Sequence, residues 1–323
     1  MASKYQKSQR EKSIKLITEK NPVFYGSSAG KKFRGIERDF VLAEDSKNLF
    51  EPIKNEVIEY FNQNCISWWG GKKPTGHVLS SQIACLNHLF LIRSDKNAVL
   101  RILKNISVDF IDILKINSDK YSNEYIQFEA ISSNDNLNEK VLNRGSNCTS
   151  IDALIYAVHK NGSKWLIPIE WKYTEHYDNK NKAVEGLEKN GEKSRGEERK
   201  RRYSILIVNS SQLKSSNDIC YYYEPFYQLM RQTLWAEQVV NQKNKEIIKA
   251  DDYLHVHVIP SENTDLLNKK YKCSNKDMET TWKDQLIDSK KYQIITPQKL
   301  LSGISEIEYD ELLKYLTIRY WKD

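Results

Sequence analysis

Two apolar segments, residues 151–158 and 164–173, follow each other in the middle of the chain and are joined by a turn that contains Asn161 and Gly162. Both segments are apolar at alternate and at intervening positions, which is typical of strands covered by helices on both faces. An Asn-Gly pair between two such runs is a strong hairpin signal. The sequence therefore predicts an α/β (α+β) fold in which a mixed β-sheet is flanked by helices.

Charged residues stand at the end of the second of these strands. Glu170 and Lys172 directly follow the apolar run 165–169, whereas similar acid-x-Lys triplets elsewhere in the chain lie in polar surroundings. Charges at the end of a buried strand are costly unless they pair with each other or bind a metal ion. Residues two positions apart on a strand share a face, so the two side chains are expected to lie together.

The turn between the two strands decides whether Asp152 joins this pair. A two-residue turn places Asp152 and Glu170 on opposite faces of the sheet, whereas a three-residue loop over residues 160–162 pairs them directly. In the second register they form a non-hydrogen-bonded pair with Cα atoms about 4.5 Å apart. Carboxylates so close repel each other unless one keeps a proton or a cation lies between them. We predict the three-residue loop, with Gly162 in the left-handed conformation.

An acid pair of this kind suits Mg²⁺ (or Mn²⁺), which prefers carboxylate oxygen and water as ligands. An ion held by Asp152 and Glu170 would contact a phosphate and lower the pKa of a bound water. Lys172 could orient that water and balance the negative charge that builds on phosphorus. Glu129, on a strand predicted over residues 125–131, is a candidate third acid, and a surface-facing strand residue is the equal alternative.

These segments resemble the restriction endonuclease-like PD-(D/E)XK nuclease superfamily, and within it a bacterial family of restriction endonucleases. The resemblance covers roughly residues 75 to 260. The residues that carry it are 77–90, with Ser80-Ser81-Gln82 and Cys85-Leu86-Asn87, then 169–175, and the helix that contains 227–231.

The resemblance implies a metal-dependent nuclease that hydrolyses phosphodiester bonds, with DNA as the favoured substrate. Asp152 and Glu170 would be its metal ligands and Lys172 its catalytic lysine. Ile151 stands where the motif has Pro, and Pro168 removes a ladder donor from a strand that should be central. The alternative is a catalytically inactive DNA-binding module with the same fold. A small-molecule phosphoesterase is a third hypothesis.

Several polar residues outside the acid pair are candidates for contacts with nucleic acid. Gln82 and Arg231 fall on helices expected near the site, and structural hydrogen bonding is an equal alternative for each. A basic run follows the predicted catalytic strand, and a solvated charged loop is its alternative. This run consists of Arg199, Lys200, Arg201 and Arg202.

The chain divides by pattern into three parts. Residues 1–74 form an N-terminal helical arm and extension, in which 1–20 reads more as a solvated tail than as a phosphate-binding helix. Residues 75–260 form the nuclease core with a charged insertion over 178–202, and 261–323 form a C-terminal helical extension. Further helices are predicted over 47–61, 80–92, 94–103, from 224 onward and over 310–321, and further strands over 203–208 and 253–259.

Charge and composition limit the partners and the setting. Lys and Arg number 50 against 43 Asp and Glu, a formal charge of +7 that fits a polyanion partner without requiring one. No apolar run approaches the roughly 20 residues that span a bilayer, so we expect no membrane contact and a cytoplasmic protein. A homodimer is possible, because duplex cutters often use one site for each strand.

Cysteine and histidine add little chemistry. The five cysteines are odd in number, far apart and without CxxC spacing, so we expect reduced thiols rather than a disulfide framework or a zinc site. His255 and His257 alternate on a strand, but no third ligand has matching spacing. Exposure on one side of the sheet is therefore favoured for them over metal binding.

Overall fold

A seven-stranded mixed sheet forms the centre of the computed structural model, which describes residues 2–117, 123–145, 148–186, 194–215, 220–304 and 306–321. The strands are β1 (Lys32–Phe33), β2 (Ile36–Glu37), β3 (Phe110–Leu114), β4 (Ile126–Ala130), β5 (Ile151–His159), β6 (Lys164–Trp171), β7 (Asp252–Tyr253), β8 (His255–Val258) and β9 (Tyr292–Ile295). The α-helices are α1 (Lys4–Thr18), α2 (Lys54–Gln63), α3 (Ser81–Leu89), α4 (Lys96–Ile106), α5 (Arg195–Val208), α6 (Phe226–Asn241), α7 (Thr264–Leu267), α8 (Met278–Asp284), α9 (Pro297–Leu301) and α10 (Glu306–Leu316).

The sheet has the strand order β3-β5-β6-β8-β9, with β4 paired to the remaining part of β5 and β7 paired to β6. The strands β3, β4, β5 and β6 are joined by antiparallel ladders, and β6, β8 and β9 by parallel ones. Two buried apolar clusters include residues of the sheet together with residues of the surrounding helices. The predicted mixed sheet flanked by helices is confirmed.

The hairpin between β5 and β6 has the predicted three-residue loop. The His159 N–H donates to the Ser163 carbonyl at 2.9 Å, and Gly162, at φ +83°, takes the left-handed conformation that glycine adopts without steric cost. Pro168 faces Leu154 in the β5 ladder. On its other side it falls between the residues that β7 pairs and those that β8 pairs, where the ladder of β6 is interrupted.

The first helix corrects the favoured interpretation of the N-terminus as a solvated tail. α1 begins at an N-cap, Ser3, whose side chain accepts from the N–H of Gln6, and buried side chains recur every four residues along one face. Because two of them are Gln9 and Ser13, the stripe is hidden in a hydropathy pattern. Gln9 Oε1 accepts from the Tyr173 hydroxyl at 2.9 Å, which ties the helix to the segment after β6.

The fifth helix corrects the strand predicted over 203–208, and it begins within the charged insertion predicted over 178–202. α5 is a helix of 14 residues that starts with a reciprocal capping box between Ser194 and Glu197. Its apolar end suggests a strand by composition, yet only Tyr203 and Ile207, one helical turn apart, are buried there. Residues 187–193 of the predicted insertion lie outside the described part of the chain.

The C-terminal segment packs back onto the centre of the fold. Asn87 of α3 donates to the hydroxyls of Tyr315 at 3.0 Å and Tyr320 at 2.9 Å, and Arg319 donates to the Asn48 carbonyl at 2.6 Å. One apolar cluster runs from Tyr5 through the sheet to the last helical turn. The segments at both ends of the chain therefore share a core with the central sheet.

Two sequence-based expectations, one about cysteines and one about histidines, are wrong. Cys220 and Cys273, 53 residues apart, form a disulfide, because the fold brings together segments whose spacing carries no signal. His255 and His257 are both buried, since helices cover each face of their strand.

Within the described residues, no helix has both the length and the apolar character needed to cross a bilayer.

Candidate active site

Three carboxylates lie in one row across neighbouring strands. The β5–β6 ladder ends at Ala153 opposite Ile169, and the next residues in that register are Asp152 and Glu170. On the other side of β5, the β4 register sets Glu129 opposite Asp152. The hairpin register thus brings together the two acids predicted from sequence and adds the candidate third acid.

A cavity of about 250 Å³ opens at the end of this row. Its walls come from the strand ends, from the first turn of α3 and from the middle of α6. Six residues singled out in the sequence line it, namely Gln82, Glu129, Asp152, Glu170, Lys172 and Arg231. The structure therefore gathers the acids, the lysine and two of the candidate phosphate-contacting residues around one space.

Glu170 and Lys172 form a buried pair, 2% and 5% exposed. The Lys172 amine lies 2.5 Å from Glu170 Oε1 and 2.6 Å from the amide oxygen of Gln228. Gln228 in turn donates to Glu170 Oε1 at 2.6 Å, and Gln232 donates to Oε2. Burial alone would lower the pKa of Lys172, but the charge of Glu170 and other neighbours holds it well above the usual value. The lysine is therefore a fixed cation.

Asp152 and Glu129 are carboxyl groups whose negative charge is disfavoured. Burial, followed by the charges of Glu170 and Glu129, raises the pKa of Asp152 well above its usual range, although its Oδ2 accepts from the Trp171 N–H at 2.8 Å. Burial also raises the pKa of Glu129, against the effect of hydrogen bonds from Gln82 and Ser150. The row thus repels a further negative charge and favours a proton or a cation.

The backbone at Glu129 is unusual for a strand. Its φ of +49° is left-handed, which is rare for a residue with a side chain and costs roughly 1–3 kcal/mol. Arg144 Nε donates to the Glu129 carbonyl at 2.9 Å, and Tyr60 accepts from the Phe128 N–H at 3.1 Å. At 6% exposure, the surface-facing alternative for this residue is wrong.

Gln82 and Arg231 both contact protein groups at the cavity. Gln82 Nε2 donates to Glu129 Oε1 at 2.6 Å. Arg231 Nε donates to the Thr149 hydroxyl at 3.0 Å, and its NH2 lies 3.4 Å from the carboxylate of Glu139. Each side chain therefore has the structural hydrogen bonding that was one of its two alternatives, and each also faces the cavity.

The basic run of α5 is divided by the helix. Arg199 and Arg202 line a second cavity of about 690 Å³, which shares Arg231 with the first, whereas Lys200 and Arg201 do not line it. Arg199 donates to Glu185 at 2.7 Å, and Arg202 donates to Glu198 at 3.0 Å. The run is helical rather than a loop, and two of its four cations line the cavity next to the acid cavity.

Sequence reasoning missed the two glutamines that hold Glu170, and it also missed Trp69. Gln228 and Gln232 lie on α6, and polar residues beside an apolar helical stripe are normally interpreted as facing solvent. Their spacing of four, one turn of helix, is the signal that they share a face. Trp69, at the rim of the acid cavity, carried no sequence signal.

Asp152 and Glu170 offer oxygen donors of the kind that bind a divalent ion. In the residues that the structure describes, no group of three His, Cys, Asp or Glu side chains is arranged to hold a metal. Asp152 and Glu170 nevertheless lie opposite each other, and a cation would relieve the repulsion that raises the pKa of Asp152. Oxygen donors of this kind fit a hard ion that keeps several waters, as Mg²⁺ does.

The sequence profile of one family matches residues 7–321, and the family is described as Restriction Endonuclease associating with ARP. The match extends on both sides of the region that the sequence resemblance covered. Neither a curated protein nor a solved structure matches the chain.

Proposed function

We propose that this chain, which belongs to the family of restriction endonucleases associating with ARP, is a PD-(D/E)XK-type nuclease that hydrolyses DNA phosphodiester bonds with Mg²⁺ or Mn²⁺. The observation that carries the proposal is the pairing of Asp152 with Glu170 at the mouth of a cavity, with the Lys172 amine 2.5 Å from Glu170. Burying two acids beside a lysine lowers the stability of a fold, so such charges are expected to serve a function. Binding a metal ion and a phosphodiester is such a function.

Asp152 and Glu170 are the proposed metal ligands. When bound there, the ion would supply a water of lowered pKa and a positive charge beside the phosphate. Gln228 and Gln232 hold the Glu170 carboxylate from two sides, which fixes its direction. These two glutamines therefore orient Glu170 as a metal ligand.

Lys172 is the proposed stabiliser of the transition state. Its amine is charged in the folded protein and fixed by Gln228, so it needs little reorganisation when negative charge builds on the phosphate oxygens. A cation bound to Glu170 would compete with the amine for that carboxylate. The amine would then turn towards the phosphate in the cavity.

The second cavity is proposed to hold the phosphate backbone beside the cut. Arg199, Arg202 and Arg231 line it, and arginine binds phosphate through two parallel hydrogen bonds. Phosphate contacts position a nucleic acid without reading its sequence.

The family description also names an association with ARP, and we extend that association to this chain. Cutting both strands of a duplex would require two chains.

Cleavage assays with matched variants test the proposal. Supercoiled plasmid and single-stranded circular DNA are incubated with the wild type and with Mg²⁺, Mn²⁺ or EDTA. Cleavage in either divalent ion is expected, with a loss of at least about 100-fold in Glu170→Ala and in Lys172→Ala. Lys200→Ala, which removes a lysine outside both cavities, should keep the wild-type rate.

Two outcomes would overturn the nuclease. Cleavage that survives in EDTA or in both site variants would place the chemistry elsewhere. Tight binding of DNA without cleavage in any divalent ion would favour the second candidate, a nuclease fold that only binds DNA. That candidate is supported by the hydrogen bonds that engage the carboxylates of Glu129 and Glu170.

A further inference from the structure

An exposed tryptophan stands at the rim of the acid cavity. Trp69 is 41% exposed, and it lines both the acid cavity and a neighbouring one of about 500 Å³. The ring of Phe33 stacks against it at 5.4 Å with an interplanar angle of 27°, and His77 meets it edge-on at 5.5 Å. A large aromatic face beside the acids is thus supported from behind and open to solvent.

The surroundings of this tryptophan are positively charged. Four lysines, Lys31, Lys32, Lys72 and Lys73, line the neighbouring cavity together with one acid, Asp45. Asp45 pairs with Lys31 and, at 3.0 Å, with Lys73. Lys32 and Lys72 are exposed and have no ion pair to another described residue. This surface, which we call the Trp69 surface and which consists of Trp69, Lys32 and Lys72, therefore combines an aromatic face with two cations that are available to a phosphate.

Packing and hydrogen bonds fix the position of Trp69 relative to the acids. The neighbouring Trp68 is buried and stacks on Phe61 at 3.9 Å. The Trp69 N–H donates to Gln82 Oε1 at 2.9 Å, while the amide nitrogen of Gln82 donates to Glu129 at 2.6 Å. One side chain thus bridges the tryptophan backbone and the acid row, which fixes their separation.

The acid cavity is small for a whole nucleotide. Its volume of about 250 Å³ lies below the roughly 300–1,000 Å³ of sites that enclose a small molecule. The nucleotides on either side of the scissile phosphate are therefore expected in the adjoining spaces. On one side the adjoining space is lined by arginines, and on the other by Trp69 and lysines.

Resting on the proposed nuclease function, we propose that Trp69 stacks on an unpaired base next to the scissile phosphate, so that the DNA is single-stranded or locally unpaired where it is cut. A base inside a duplex has both faces covered by its neighbours, and a side chain reaches such a face only when the base leaves the stack. Aromatic platforms flanked by cations bind single strands in this way. Lys32 and Lys72 take the adjoining phosphates.

Binding measurements without catalysis test this proposal. Fluorescence anisotropy in EDTA compares a labelled mixed-sequence single strand with its blunt duplex, using the full chain. Trp69→Ala should weaken single-strand binding by about 5- to 150-fold, the range expected for the loss of one stacked base, whereas Trp69→Phe should stay within a few-fold of the wild type. Duplex binding should change equally little in both variants.

A second measurement covers the case in which Trp69→Ala fails to fold. The double variant Lys32→Ala/Lys72→Ala changes only exposed side chains. It should reduce the slope of log K against log salt for the single strand by about 1.4, because each of the two lost phosphate contacts contributes about 0.7 to the slope. The control double variant Lys200→Ala/Arg201→Ala removes the same charge elsewhere and should leave the slope unchanged.

The outcomes separate this proposal from the nuclease itself. Single-strand binding that is unchanged in Trp69→Ala and in the double lysine variant overturns the stacking site, even if cleavage that depends on Glu170 continues. An equal loss of duplex and single-strand binding also overturns it. If the wild type binds and cuts neither form of DNA, the proposed nuclease function fails and the stacking proposal fails with it.

Discussion

The amine of Lys172 lies 2.5 Å from Oε1 of Glu170, and almost no part of either side chain reaches solvent. The contact forms because Glu170, near the end of β6, and Lys172, just after it, are two positions apart and point to the same face of the sheet. A buried ion pair adds little net stability, yet removing one partner strands the other without compensation. The pair is therefore better explained by its use in the cavity than by its contribution to folding.

Replacing this lysine should destabilise the fold. Lys172→Met leaves the row of three carboxyls without its cation, and breaking a buried pair costs roughly 3–5 kcal/mol. Urea unfolding at pH 8, where the acids are least able to take up protons, measures the loss. Lys200→Met, on an exposed face of α5, should stay within about 0.5 kcal/mol of the wild type. A loss below about 1 kcal/mol in Lys172→Met would contradict the described pairing.

Two faces of α5 should differ in DNA binding. The double variant Arg199→Ala/Arg202→Ala removes two cations that line the second cavity, while Lys200→Ala/Arg201→Ala removes the same charge from outside it. Only the first should weaken DNA binding strongly and reduce the salt slope by between about 1 and 2, depending on whether one or two phosphate contacts are lost. Equal effects of the two double variants in a filter-binding titration would show non-specific attraction instead.

The backbone at Glu129 makes an unusual prediction about glycine. In a strand interior glycine is normally less stable than alanine by roughly 0.5–1 kcal/mol. At a φ of +49° the order should reverse, because a Cβ costs roughly 1–2 kcal/mol in the left-handed region. Glu129→Gly should therefore unfold at higher urea than Glu129→Ala, although both lose the same carboxyl. Alanine as the more stable variant would mean that β4 is regular at this position.

Buried histidine should make stability depend on pH. Burial lowers the pKa of His255 to about 3, below the usual value near 6.5. The unfolded chain therefore takes up a proton between these values that the folded chain does not, so the stability is present above pH 6.5 and is lost as the pH falls. Between pH 7 and pH 5 this group costs about 2 kcal/mol.

The comparison variant for this effect is His255→Gln, which keeps a polar side chain without a titrating ring. Its unfolding free energy should fall by about 2 kcal/mol less than that of the wild type between pH 7 and pH 5. Urea titrations at the two pH values give the difference. An identical fall in both proteins would mean that the ring is protonated in the folded state.

The row of acids could be predicted because its causes are local. The alternation of strand side chains and the preference of Gly162 for the left-handed conformation set the register, and the register sets Asp152 opposite Glu170. Distant residues then add what no local pattern contains. Gln228 and Gln232 reach the acids only because α6 packs over the sheet, and Trp69 reaches them through a loop held by Gln82.

The wrong predictions for α5 and for the N-terminus came from relying on composition instead of spacing. The apolar end of α5 resembled a strand, although Ser194 and Glu197 already carried the pattern of a capping box. The helix at the N-terminus was hidden because Gln9 and Ser13 occupy buried positions on its inner face. The disulfide between Cys220 and Cys273 depends on which segments meet in space, and no spacing rule predicts it.

A crystal structure of the protein grown with Mn²⁺ tests the central claim most directly, since the anomalous signal identifies the ion. The account predicts one Mn²⁺ ion bound within about 2.2 Å of a carboxylate oxygen of both Asp152 and Glu170, with the Lys172 amine turned away from Glu170. The contrary result is a site without an ion, in which Glu170 keeps its contacts to Lys172, Gln228 and Gln232.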